Sequence, residues 1–190
     1  MIFPIVAYGH PILRKKAEPI APDYPGLQDF LKDLWETMYA TDGIGLAAPQ
    51  VNRSIRIFVV DTSVLSEKYP EAQGFKKAFI NPQMLEELGS EWAYSEGCLS
   101  IPDIHEDVYR KPRIRLRYQD ENFTEHEEWF EGIVARVIQH EYDHLEGILF
   151  TDHLSPLRKT MLAGKLNNIA RGRINPPYRM IFAPTRKSKG

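Results

Sequence analysis

Residues 140–144 read His-Glu-Tyr-Asp-His, and they close a helix-length apolar stretch. On an α-helix Ile133, Val137, His140 and His144 fall within about 40° of one another, so the two histidines continue a buried row. Two imidazoles with Glu141 beside them are expensive to bury without a shared partner. A pair of histidines four residues apart can reach one metal ion, and the intervening glutamate can serve as a base. A catalytic site of this sort needs a third protein ligand and an open coordination position. Downstream candidates fail: Phe150 stands where one extended pattern has histidine, no glutamate follows Glu146, and His153 is poorly spaced. The third ligand is therefore expected upstream. Cys98, the lone cysteine, is the candidate, in Glu-Gly-Cys-Leu-Ser-Ile-Pro (96–102) with Gly97 permitting close backbone approach.

The rest of the chain suits a compact α+β fold. Its 190 residues, 43% hydrophobic and 26% charged, exclude disorder and disulfide scaffolds as the main class. One cysteine forbids an internal disulfide and fits a reducing compartment. No apolar run reaches membrane-spanning length, and the order of the apolar residues 2–8 before Arg14, Lys15 and Lys16 is wrong for a secretory signal, so a cytoplasmic location is expected. Leu27, Phe30, Leu31, Leu34, Trp35, Met38 and Tyr39 form one stripe and predict a helix over 26–41. Strands are expected at about 55–60, 78–80, 84–95, 113–119 and 123–130, the fourth half-buried because Ile114, Leu116 and Tyr118 alternate with arginines. Residues 62–77 read as a surface excursion. A second helix over 132–145 carries the histidines, a third covers 155–171, and 178–182 can add a strand. The expected architecture is short antiparallel strands around a central metal-binding helix, with an N-terminal and a C-terminal helix. Trp35, Trp92 and Trp129 are expected in the core, and His10, His105, His126 and His153 on the surface. Glu96 can pair with Arg110 and brace the cysteine loop.

Charge divides the chain. Up to residue 153, fifteen Lys and Arg face all 26 Asp and Glu; beyond it stand nine Lys and Arg with no acid. An acidic body thus carries a basic end that suits either a nucleic-acid partner or a solvated face. We expect a single catalytic domain over 1–172 and a basic extension over 173–190.

Gly-Ile-Gly-Leu-Ala-Ala-Pro-Gln (43–50), Glu-Gly-Cys-Leu-Ser (96–100) and Gln-His-Glu-Tyr-Asp-His-Leu-Glu-Gly (139–147) resemble, in order and at every specified position, the three signature motifs of peptide deformylases. The resemblance covers about residues 1–150; the excursion 62–77 and the end after about 172 match no motif. It implies that Cys98, His140 and His144 bind one divalent metal, Fe(II) in the cell with Zn(II), Ni(II) or Co(II) as substitutes. It implies Glu141 as general base and acid, Gln50 and the Leu99 N–H as oxyanion donors, and Ile44, Gly45 and Gly97 as backbone partners of an extended peptide. The implied substrates are N-formyl-methionyl nascent chains. The ribosome is an expected partner of the basic end, with neither DNA nor membrane involved, and the chain is expected to act as a monomer. A metallopeptidase, or a module that binds peptides without turnover, are the alternatives.

Overall fold

The computed structural model describes residues 1–184. Among these, nine strands and three α-helices follow in the order β1 (Ile5–Val6), α1 (Leu27–Ala40), β2 (Gly45–Ala47), β3 (Ile57–Asp61), β4 (Lys76–Leu88), β5 (Trp92–Cys98), β6 (Ile101–Arg110), β7 (Arg113–Gln119), β8 (Glu125–Glu131), α2 (Gly132–Leu145), α3 (Pro156–Ala170) and β9 (Met180–Ile181). An antiparallel sheet of order β2-β3-β4-β7-β8 forms the centre, β5 and β6 make a separate hairpin, and β9 pairs in parallel with β1. The fold is α+β.

The unbroken apolar run of β3 follows from its place between two helices. Phe58 and Val60 face one core with Phe79, Leu116 and the α2 residues Ile133, Val137 and Ile138. Ile57 and Val59 face a second core with Leu31, Leu34 and Met38 of α1. A strand buried on both faces has no polar side to alternate with. Strand β7 keeps the alternation: Ile114, Leu116 and Tyr118 are buried, while Arg115 pairs with Glu86 and Glu127 outside. A third core joins β1, β6 and α3 through residues such as Val6, Ile104, Leu162 and Ile169.

Helix α2 follows β8 without a loop. Its first N–H groups are open to capping, and the Glu71 carboxylate accepts from the Ile133 amide at 3.3 Å. The helix stops at Gly147, whose φ is +74° and whose amide returns to the His144 carbonyl.

Several expectations are corrected. The stretch 84–95 is two strands, not one: Gly89, at φ +96°, breaks it against the ring of Pro112. Strand β6 was not expected, because Pro102 and its charged residues hide the alternation. The excursion 62–77 is not merely surface, since Thr62 and Ala72 are fully buried and Glu71 caps the central helix. Trp129 is exposed, its ring covered by the guanidinium of Arg113 at 4.3 Å; Trp35 and Trp92 are only partly buried. Of the basic end, residues 173–184 lie on the body through β9, and 185–190 are outside the described residues.

A Cβ at position 147 would stand 2.6 Å from the Arg14 carbonyl oxygen. Gly147→Ala is expected to lower the unfolding free energy by at least about 1–2 kcal/mol, the cost of a left-handed alanine. Denaturant melts read this directly; an unchanged midpoint contradicts it.

Candidate metal centre

Three separate stretches converge on one cleft of about 400 Å³. Helix α2 supplies His140, Glu141 and His144; the β5–β6 hairpin supplies Cys98 beside its two-residue turn, Leu99–Ser100; the segment around β2 supplies Ile44, Gly45 and Gln50. The cleft is lined by Ile44, Gly45, Gln50, Gly97, Leu99 and Glu141 together with Cys98 and His140, so all but His144 of the residues singled out in the sequence border it. His144 lies just beneath, with its Nε2 3.4 Å from the Cys98 sulfur.

Cys98, His140 and His144 bring one donor atom each to within 4.8 Å of one another. His140 donates through Nδ1 to the Glu96 carboxylate, 2.8 Å away, which leaves Nε2 for the cleft. Among the described residues, His144 Nδ1 and Glu141 Oε2 are buried polar atoms without a partner. A thiolate and two imidazoles, converging in a buried and only partly satisfied pocket, fit a divalent metal.

Glu96 is almost wholly buried and is the bracket of this arrangement. It accepts from Arg110 at 2.8 and 3.1 Å, from Arg136 at 2.8 Å, and meets His140. Burial alone would raise its carboxyl, but hydrogen bonds from His140 and Arg110 outweigh that and hold it well below the usual carboxylate range. Arg110 also reaches Asp143, which in turn meets His153. The Glu96–Arg110 pair was legible in the sequence. Arg136 was not, although a lone charge within Ile-Val-Ala-Arg-Val-Ile was its one signal.

Glu141 is fully enclosed, and burial pushes its carboxyl up to about 7, against the pull of His140. Gly45 is what lets it in: a Cβ there would stand 2.6 Å from Glu141 Oε1. Gln50 accepts from the Ala47 amide at 2.9 Å through its carbonyl oxygen. That fixes its amide group, so Nε2 points to the Cys98 sulfur at 3.5 Å and the Ser100 hydroxyl at 3.3 Å.

A sequence model of the polypeptide deformylase family matches residues 2–160. The chain belongs to that family. Deformylases are hydrolases that remove the formyl group from an N-terminal formyl-methionine, and membership makes this chain an enzyme of protein biosynthesis with that activity. The peptide deformylase of Christiangramia forsetii is 51% identical over the full length of both chains. Among solved structures, the peptide deformylase of Thermus thermophilus is 36% identical at a TM-score of 0.79, covering 91% of this chain and all of that one. The Met-Ala-Ser-bound class I type b deformylase of Acinetobacter baumannii is 32% identical at a TM-score of 0.76, covering 81% of this chain and 99% of that one.

Because Gly45 is the contact that admits the Glu141 carboxylate, Gly45→Ala in this deformylase is expected to cut kcat/KM on the order of 100-fold, as a misplacement of about 1 Å at a reacting group does. The melting temperature should change little. Activity near that of the parent would show that the carboxylate has room to spare.

Proposed function

We propose that this deformylase performs its reaction with Cys98, His140 and His144 holding one divalent ion, Fe(II) in the cell, and with Glu141, Gln50 and Leu99 acting on the formyl group. The convergence of the three donors on the cleft that contains the Glu141 carboxylate carries the reading. Zn(II), Co(II) and Ni(II) suit the same donors.

A bound ion supplies Lewis acidity toward the formyl oxygen and an acidified water. The chain's own residues do the rest. Glu141, adjacent to the ligands and enclosed with them in the cleft, takes the proton of the attacking water and later delivers it to the leaving amine nitrogen. As the formyl oxygen gains negative charge, the Gln50 amide and the Leu99 N–H are donors fixed before the reaction begins. Glu96 holds the His140 ring through Nδ1, which orients Nε2 and keeps the ligand from rotating away.

Substrate binding follows from the sheet. Strand β2 is an edge, paired on one side only with β3. Ile44 and Gly45 stand at that edge and line the cleft, as Gly97 of the β5–β6 hairpin does. An extended peptide laid between them can pair through its backbone. The methionine side chain then faces the apolar wall that Val137 contributes from α2.

The chain is proposed to act in the cytoplasm as a monomer on nascent peptides. Every group assigned to the reaction comes from one chain, and no helix among the described residues is long and apolar enough to cross a membrane. The catalytic domain, expected over 1–172 with a basic extension over 173–190, is taken to run on through residues 173–184, because Pro177 and Tyr178 line the cleft and β9 pairs with β1. Lys159 and Lys165 of α3 are exposed, as are Arg171 and Arg173 beyond it, and these cations suit ribosomal RNA.

Anaerobically prepared Fe(II) protein is expected to release formate from formyl-Met-Ala-Ser. Glu141→Ala should lose about 10²–10⁴-fold in kcat with metal content unchanged. Cys98→Ala should lose the metal itself. A metal-loaded parent that releases no formate overturns the proposal. Co-sedimentation with ribosomes should weaken as salt rises, and further in Lys159→Glu/Lys165→Glu; indifference of binding to both would remove the RNA contact.

A further inference from the structure

The Leu99–Ser100 turn is two residues long and joins the metal-binding end of β5 to β6, with Cys98 opposite Ile101. Each of its two carbonyls is held from outside the hairpin. The Ser100 carbonyl accepts from the Tyr8 amide at 2.8 Å, just after β1. The Leu99 carbonyl accepts from the Tyr178 hydroxyl at 2.8 Å, just before β9. Strands β1 and β9 are themselves paired: the Ile5 amide donates to the Arg179 carbonyl at 2.9 Å and the Ala7 amide to the Ile181 carbonyl at 2.8 Å. The segments around β1 and β9 thus close on each other and grip the turn between them.

Tyr178 has a second face. With Pro177 it lines the catalytic cleft, alongside Leu99 and Asp103, although residues 173–184 lie beyond the span that the family model matches. The segment is anchored for this by the apolar packing of Ile174, Met180, Ile181 and Phe182 on the core that also touches Cys98.

We propose that Tyr178 is a positioning residue for the deformylation reaction and a wall of the peptide site. Its hydroxyl fixes the Leu99 peptide, and its ring bounds the cleft against the substrate's downstream residues. The proposal rests on the assignment of the Leu99 N–H as an oxyanion donor. A peptide unit whose carbonyl is tethered cannot swing about the turn, so the aim of the next amide group back, the Leu99 N–H, is restricted as well. Catalysis depends on donors held in place before charge develops. The ring's contribution is separate, since it concerns apolar contact that substrate and transition state share.

The two roles predict different kinetics. Tyr178→Phe keeps the ring and removes the hydroxyl: kcat for formyl-Met-Ala-Ser should fall about tenfold with KM unchanged, less than the loss of an oxyanion donor itself. Tyr178→Ala should show the same fall in kcat together with a several-fold rise in KM. That rise should vanish for formyl-methionine amide, which has no downstream residues. Amide hydrogen exchange of Leu99 and Ser100, followed by NMR in the Zn(II)-loaded full chain, should quicken about tenfold or more in Tyr178→Phe while exchange in α2 stays as in the parent. Faster exchange at the turn with an unchanged kcat overturns the catalytic role. A lower kcat with unchanged exchange overturns the route through Leu99, and an unchanged KM in Tyr178→Ala overturns the wall. Absence of formate release from the metal-loaded parent is a distinct failure, that of the deformylase assignment of the site, and it removes the proposal with it.

Discussion

The site depends on the buried carboxylate of Glu96. It lies at the start of the Cys98 segment, and through it β5, β6 and α2 are joined: Arg110 reaches it from β6, Arg136 and His140 from α2. Two guanidiniums and two carboxylates, Glu96 and Asp143, balance in charge within a few ångströms, and further hydrogen bonds run from Arg136 to the Val108 and Trp92 carbonyls. A buried ion pair of this kind is weak evidence for net stability, because desolvation offsets most of the Coulomb attraction. Its value is geometric. Removing any one member would leave an uncompensated charge in the interior, so the hairpin and the helix are held in a single register. That register sets the distance between Cys98 on one element and the histidines on the other.

Much of this was legible in the residues. The stripe of α1, the row Ile133–Val137–His140–His144 and the alternation of β7 are local patterns, and local patterns survive into the fold because each buried face must be continuous. Cys98 could be selected by ligand chemistry alone. What escaped was non-local. That Gly89 splits a strand depends on Pro112 lying across from it. That Trp129 stays outside depends on Arg113 covering its ring, which turns an aromatic residue into a surface one. That Arg136 is buried depends on a carboxylate forty residues away and on the Trp92 ring at 4.6 Å. None of these partners is near in sequence, so no periodicity could announce them.

The division of labour among elements has a physical logic. His140, His144 and Glu141 sit on a helix packed by Ile133 and Ile138 into the core of the sheet, where the backbone has little freedom. Cys98 and the Leu99 amide sit at a hairpin end, which is free to approach the helix closely but would move if left alone. Its mobility is removed by contacts from elsewhere: Gln50 and Tyr8 at Ser100, Tyr178 at Leu99, Glu96 behind. A rigid helix and a clamped turn together give precise donors without demanding that either be a long loop.

Recognition in such a cleft has to satisfy an unusual requirement, because an enzyme acting on newly made chains meets every downstream sequence. An edge strand answers it. In the proposed binding mode, the N–H and C=O groups along the outer side of β2 are the same whatever peptide arrives, so pairing would supply affinity that is indifferent to side chains. Selectivity is then confined to the two things all substrates share, the formyl group and the first side chain. In that mode both are read beside Glu141, where Gly45 leaves little room, and against the apolar surface of Val137 in the same cleft. Glycines at 43 and 45 keep that part of the cleft open, whereas the small residues Ala47 and Ala48 pack into the two cores on either side of β3 and do not line it.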